Sequence, residues 1–214
     1  MADITRRLPV YLLLDTSGSM SGEPIAAVQQ GMKALISDLK SDPQALETAF
    51  LSVITFNSSA QQLSPLVELP SFIEPQLSAG GSTAFGEALQ LLENVMDKEV
   101  RKSTVPGQKG DWKPLIFIMT DGQPTDTWEA AADRIKQKRP ANIIACAAGA
   151  GADSNMLKRV TEIVVELNNL APETLKAFFK WVSSSIKTTS QSVQQSSDAP
   201  LNLPPPPPQI QIVP

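Results

Sequence analysis

Val10-Tyr11-Leu12-Leu13-Leu14-Asp15-Thr16-Ser17-Gly18-Ser19 is the stretch that decides the fold. Five consecutive apolar residues that stop at a polar loop read as a buried strand. The loop that follows carries one carboxylate and two hydroxyls at alternate positions, Asp15, Ser17 and Ser19. Oxygen donors packed this tightly suit a hard divalent cation such as Mg²⁺. In an open α/β sheet, the loops at the carboxyl ends of the strands are also where ligands bind.

Working outward, Leu115-Ile116-Phe117-Ile118-Met119 is a second apolar strand, and it runs into Thr120-Asp121-Gly122. Between the two strands, Gly80-Gly81-Ser82-Thr83 precedes a helical pattern. Further strands are expected at Thr48–Phe56, Asn142–Ala148 and Thr161–Leu167, with a short antiparallel neighbour at Ala60–Leu66. Helices are expected at Glu23–Lys40, Thr83–Val100 and Ser154–Val160, from a Thr125 or Asp126 cap to Lys138, and from Pro172 to near Lys187. Strands alternating with helices predict an α/β fold of three layers: an open, mostly parallel sheet with one antiparallel edge strand and helices on both faces. Right-handed crossovers then gather the loops after Leu14, around Thr83 and after Thr120 at one sheet edge.

The chain has 214 residues and a net charge of −4. No basic stripe is present, which argues against a nucleic-acid partner. There is no histidine, which excludes His-based triads and His-ligated metals. The single cysteine, Cys146, falls inside an apolar strand and reads as a buried core residue. The apolar stretch after Arg6-Arg7 is too short for a signal peptide, and no segment has the length of a membrane span. These features set the expectation of a soluble cytoplasmic protein. Ser103–Lys113 reads as a mobile polar loop. Residues 1–188 are expected to form the folded domain and 189–214 a flexible Ser/Gln/Pro-rich tail. That tail carries the polyproline run Pro204–Pro208, a spacer or a ligand for a partner's aromatic groove. Gln209–Val213 alternates like a strand that either adds to a partner's sheet or does nothing.

The set Asp15, Ser17, Ser19, Thr83 and Asp121 resembles the metal-ion-dependent adhesion site of von Willebrand factor A domains, over about Arg7 to Ser185. The resemblance implies that Ser17 and Ser19 ligate the ion directly. Thr83 would bind directly or through water, and Asp15 and Asp121 largely through water. One coordination position is left for a carboxylate from a partner protein. Mg²⁺ is the expected ion, with Mn²⁺ or Ca²⁺ as substitutes. The strings Leu14–Met20, Gly22–Ile25, Gly80–Thr83 and Thr120–Asp126 look like the bacterial tellurite-resistance Y-type (TerY-like) subgroup. That likeness implies an intracellular adaptor in a stress-response phosphorylation system, with a kinase or a metal-dependent phosphatase as partner.

Around the centre, Asp126 is expected to cap the following helix or to add charge to the metal rim. Asp111, Trp112 and Trp128 are read as contact area near the site or as core. Gly80-Gly81 is expected to let the backbone approach the ion. Two other functions compete. A phosphohydrolase of the haloacid-dehalogenase type also starts from an Asp at the first strand's end, but it needs a second Asp where Ser17 stands. A dinucleotide site at Gly149-Ala150-Gly151 lacks the third glycine, because Ser154 occupies its place.

Overall fold

The computed structural model describes residues 6–103, 109–195 and 201–214. Its elements, in chain order, are β1 (Leu8–Asp15), α1 (Glu23–Lys40), α2 (Pro43–Thr48), β2 (Ala49–Phe56), β3 (Ala60–Glu68) and α3 (Phe85–Glu99). There follow β4 (Leu115–Thr120), α4 (Glu129–Lys138), β5 (Asn142–Ala148), α5 (Ser154–Lys158), β6 (Ile163–Leu167), α6 (Pro172–Gln195) and β7 (Ile210–Val213). The seven strands form one sheet in the order β3-β2-β1-β4-β5-β6-β7. The five central strands are parallel, and β3 and β7 are antiparallel edges.

Strand β1 is buried along its whole length because each face meets a helical layer. Val10, Leu12 and Leu14 pack with α1 and α6 through Val28, Met32, Phe178 and Val182. Tyr11 and Leu13 pack with α3 and α4 through Phe85, Leu89, Leu92 and Ile135. A strand covered on both faces needs apolar residues at every position, which explains the unbroken run in the sequence. Helix α1 starts on Glu23-Pro24 and buries Val28, Met32, Leu35, Ile36 and Leu39, as its spacing requires.

Three expectations are corrected. Helix α2 had no counterpart in the sequence reading; Asp42 caps it by accepting a hydrogen bond from the Ala45 N–H at 2.8 Å, and Pro43 occupies its first turn. Asp111 and Gly110 are held rather than loose: Arg7 Nε donates to Asp111 Oδ1 (2.9 Å), and Arg6 Nε donates to the Gly110 carbonyl (2.8 Å). Residues 104–108 of that loop lie outside the described residues.

The third correction concerns residues 189–214. Helix α6 continues past Lys187 to Gln195. Leu201 and Leu203 pack against the core, and the Trp181 indole N–H donates to the Pro204 carbonyl at 2.9 Å. A polyproline segment leaves its carbonyls unpaired, and a buried indole needs an acceptor. Ile210 is buried, and β7 pairs with β6 of its own sheet from Leu167↔Ile210 to Val164↔Val213. The terminal alternation is therefore a second antiparallel edge strand, and residues 201–214 are a packed strap.

Candidate metal centre

Strands β1 and β4 are neighbours, and the connection from β1 leads to β2 on one side of the sheet whereas that from β4 leads to β5 on the other. Side chains at the carboxyl ends of β1 and β4 therefore meet at the topological switch point, where the diverging loops open a crevice. Asp15, fully buried, ends β1. Its Oδ1 accepts from the Ser17 N–H (2.8 Å), and its Oδ2 accepts from the Thr120 hydroxyl (2.6 Å). The Ser17 and Ser19 hydroxyls lie 3.1 Å apart, and the Ser19 hydroxyl donates to Asp121 Oδ1 at 2.9 Å. Residues 102 positions apart in sequence are thus bridged by one contact.

Thr83 reaches the same neighbourhood from the loop before α3. Its backbone N–H donates to the Thr125 hydroxyl (3.0 Å), and its carbonyl accepts from the Thr125 N–H (2.9 Å). Its hydroxyl faces Gly122, where an added Cβ would stand 3.8 Å away. Ser17, Thr83 and Asp121 are buried, whereas Ser19 is exposed at the mouth. The crevice is therefore shielded on its flanks and open to solvent above Ser19.

The donor set is two carboxylates and three hydroxyls. Among the described residues, no Lys or Arg forms an ion pair with Asp15 or Asp121. Burial, together with the nearby charge of Asp15, pushes the Asp121 carboxyl up from its ordinary value, against hydrogen bonds from Ser19 and Ser17. Two close carboxylates without a protein countercharge are what a hard divalent cation neutralises, and the residues present fit one. No cluster of three His, Cys, Asp or Glu occurs among the described residues, so hydroxyls are essential to the set. Thr120 holds Asp15, a role its place in the motif does not announce, and Thr125 holds Thr83 instead of capping the helix that follows. Which neighbour a hydroxyl orients is set by tertiary contact and leaves no trace in spacing.

Among the neighbouring residues, Gly81 and Asp126 depart from expectation, whereas Trp112 and Cys146 lie in the core and Trp128 packs against it. Gly81 takes a left-handed φ of 78°, and a Cβ there would sit 2.3 Å from the Ser58 hydroxyl. The loop is thus pressed against the β2–β3 turn, and its Gly81 carbonyl accepts from the Gly18 N–H at 3.0 Å. Asp126 accepts from the Gly86 and Glu87 N–H groups (2.9 and 2.8 Å), so it caps α3 rather than the helix that follows it. Trp112 lies buried at the pole opposite the centre, under the Arg6 guanidinium. Trp128 packs at a tilt against Phe85 and beneath Arg159. Cys146 is fully buried, which pushes its thiol well up. At the Gly149–Gly151 turn, a Cβ on Gly151 would meet the Asp121 carbonyl at 2.6 Å; this turn buttresses the β4 loop by close backbone approach.

A family model for the von Willebrand factor type A domain matches residues 10–188. The chain belongs to this family. An uncharacterized protein of Synechocystis sp. is 36% identical over 131 residues, covering 56% of this chain and 27% of that protein. The solved von Willebrand factor type A structure from Catenulispora acidiphila superposes with a TM-score of 0.64 at 19% identity, covering 85% of this chain and 43% of that one. Proximal thread matrix protein 1 from the mussel byssus, solved with a zinc-occupied metal-ion-dependent adhesion site, gives a TM-score of 0.59 at 17% identity, covering 84% and 48%. The chain thus spans about a quarter of the Synechocystis protein and under half of either structure. Von Willebrand factor type A domains often mediate metal-dependent protein interactions. Among the described residues, no helix is long and apolar enough to cross a membrane.

Proposed function

We propose that this von Willebrand factor type A domain is a non-enzymatic docking module. Asp15, Ser17, Ser19, Thr83 and Asp121 would hold a divalent cation, Mg²⁺ by donor chemistry, that accepts one further oxygen from a partner protein's carboxylate. The observation that carries this reading is the Ser17–Ser19–Asp121 hydroxyl chain, which joins two loops across the switch point beside a pair of uncompensated carboxylates. Asp15 has both oxygens engaged by Ser17 and Thr120, which favours contact with the ion through water. The same engagement speaks against the haloacid-dehalogenase reading, since a nucleophilic carboxylate needs an oxygen free to attack. The finer setting is an adaptor in a cytoplasmic tellurite-resistance or stress-response phosphorylation system, with a kinase or metal-dependent phosphatase as partner. That setting rests on the likeness of the quoted motifs to the TerY-like subgroup.

Calorimetric titration with Mg²⁺ and Mn²⁺ tests the site. One ion per chain is expected, with affinity at least about tenfold weaker in Ser17→Ala or Asp121→Ala, the counterpart of about 1.4 kcal/mol per decade. Circular dichroism of both variants should match the parent. Capture of the partner should be lost in Asp15→Ala and in excess chelator; capture that persists with chelator present overturns metal-mediated docking.

A further inference from the structure

A cleft of about 210 Å³ opens at the pole opposite the metal centre, between the end of α4 and the first residues of β5 and β6. Lys113, Lys136 and Arg139 line it together with Glu162, Asn142 and Thr161. Three cations face one acid there, an excess of two positive charges on a chain whose net charge is −4. Arg139 reaches the cleft by a left-handed turn (φ 47°), at the only non-glycine residue with positive φ among the described residues. Its N–H closes α4 by donating to the Ile135 carbonyl at 2.9 Å.

The compensation inside the cleft is thin. Glu162 Oε1 lies 3.4 Å from Lys136 Nζ and 3.8 Å from the Arg139 guanidinium, and all three side chains are substantially exposed. Exposed pairs at such distances are held weakly and are easily exchanged. Lys136 also donates to the Lys158 carbonyl at 2.6 Å, which fixes its ammonium at the rim. Lys113 has no acidic partner among the described residues. The Glu162 carboxylate therefore sits where an external anion would bridge Lys136 and Arg139.

We propose that this basal cleft is an anion site for a compact phosphate group, with Lys136 and Arg139 as its principal ligands, Lys113 as a third charge and Glu162 as an internal competitor. A phosphate dianion matches the excess of two charges, and its tetrahedral oxygens suit one guanidinium fork beside two ammonium groups. Free phosphate and a phosphorylated side chain share this chemistry. The site is independent of the metal centre.

Backbone-amide NMR of the whole chain, in chelator and at constant ionic strength, tests it with two probes, inorganic phosphate and a phosphoserine peptide. Saturable shifts are expected at Arg139, Asn142, Ile143, Glu162 and Ile163. They should weaken at least about fivefold in the Lys136→Ala/Arg139→Ala double variant and tighten severalfold in Glu162→Gln, an exposed change that spares the core. Saturation by phosphate itself assigns a free ion; saturation by the peptide alone assigns a modified side chain. Shifts that fail to saturate, that equimolar chloride reproduces, or that the variants leave unchanged overturn the proposal. Because chelator is present throughout, failure here is separable from failure of the metal reading.

Discussion

Tyr11 is the side chain whose ionisation the fold suppresses most clearly. It sits within β1, and its hydroxyl donates to Glu99 Oε2 at 3.0 Å. Burial, and then the Glu99 charge, push the phenol far above its ordinary value. Unfolded chains lose this proton near pH 10, whereas the folded chain keeps it. The folded state then binds more protons, so the Tyr11 contribution to stability is intact below about pH 10 and falls as pH rises beyond it. Chemical denaturation midpoints should hold from about pH 7 to 8, ease as the unfolded chain's Cys146 thiol ionises above about 8.5, and drop more steeply above about 10. Tyr11→Phe should flatten that alkaline drop, at a baseline cost of about 1 kcal/mol for the Glu99 oxygen left without its donor. An unchanged alkaline slope in the variant would assign the loss to other groups. At this scale the candidate centre was largely legible, because Asp15, Ser17, Ser19, Thr83 and Asp121 announce themselves by chemical type at the ends of apolar strands. The orienting hydroxyls of Thr120 and Thr125 were not, since each acts on a residue from a different segment.

Helix α3 shows why some elements could be read locally and others could not. Its cap comes from Asp126, 40 positions beyond the first amide it receives, so no capping signature exists near its own start. Asp126→Ala should cost about 1–2 kcal/mol, as loss of an N-terminal cap does. It should also loosen Thr83, two residues before the helix, so Mg²⁺ affinity should fall along with the unfolding midpoint. Calorimetry on the same samples checks both; a stability loss with unchanged ion affinity would uncouple the cap from the centre. By contrast, α1, β4 and β5 follow from sequence with matching bounds, because Pro24 and the apolar runs act locally. Strand β7 escaped correct placement for the reason α3's cap did. Its alternation was visible, but nothing local says which sheet edge it joins.

Across the whole molecule, the strap of residues 201–214 closes the β6 side. Its removal would expose the β6 edge, unbury Ile210 and leave the Trp181 indole without its acceptor. Those losses sum to about 3 kcal/mol or more. For a domain of this size that is a fall of about 6–12 °C in melting temperature. Deletion of 201–214 should also promote association through the bared strand, visible by light scattering. A melting temperature within about 2 °C of the parent would show the strap to be dispensable.

Because β7 runs against β6, its last residue comes down beside Lys158, whose ammonium donates to the Pro214 carbonyl. Arg6 and Arg7 enter β1 at the same floor of the domain, clamped to Gly110 and Asp111. Entry and exit are four strand spacings apart, roughly 19 Å. Spliced into a longer polypeptide, a domain of this build would be tethered by its floor, with the candidate metal centre at the far end of the sheet.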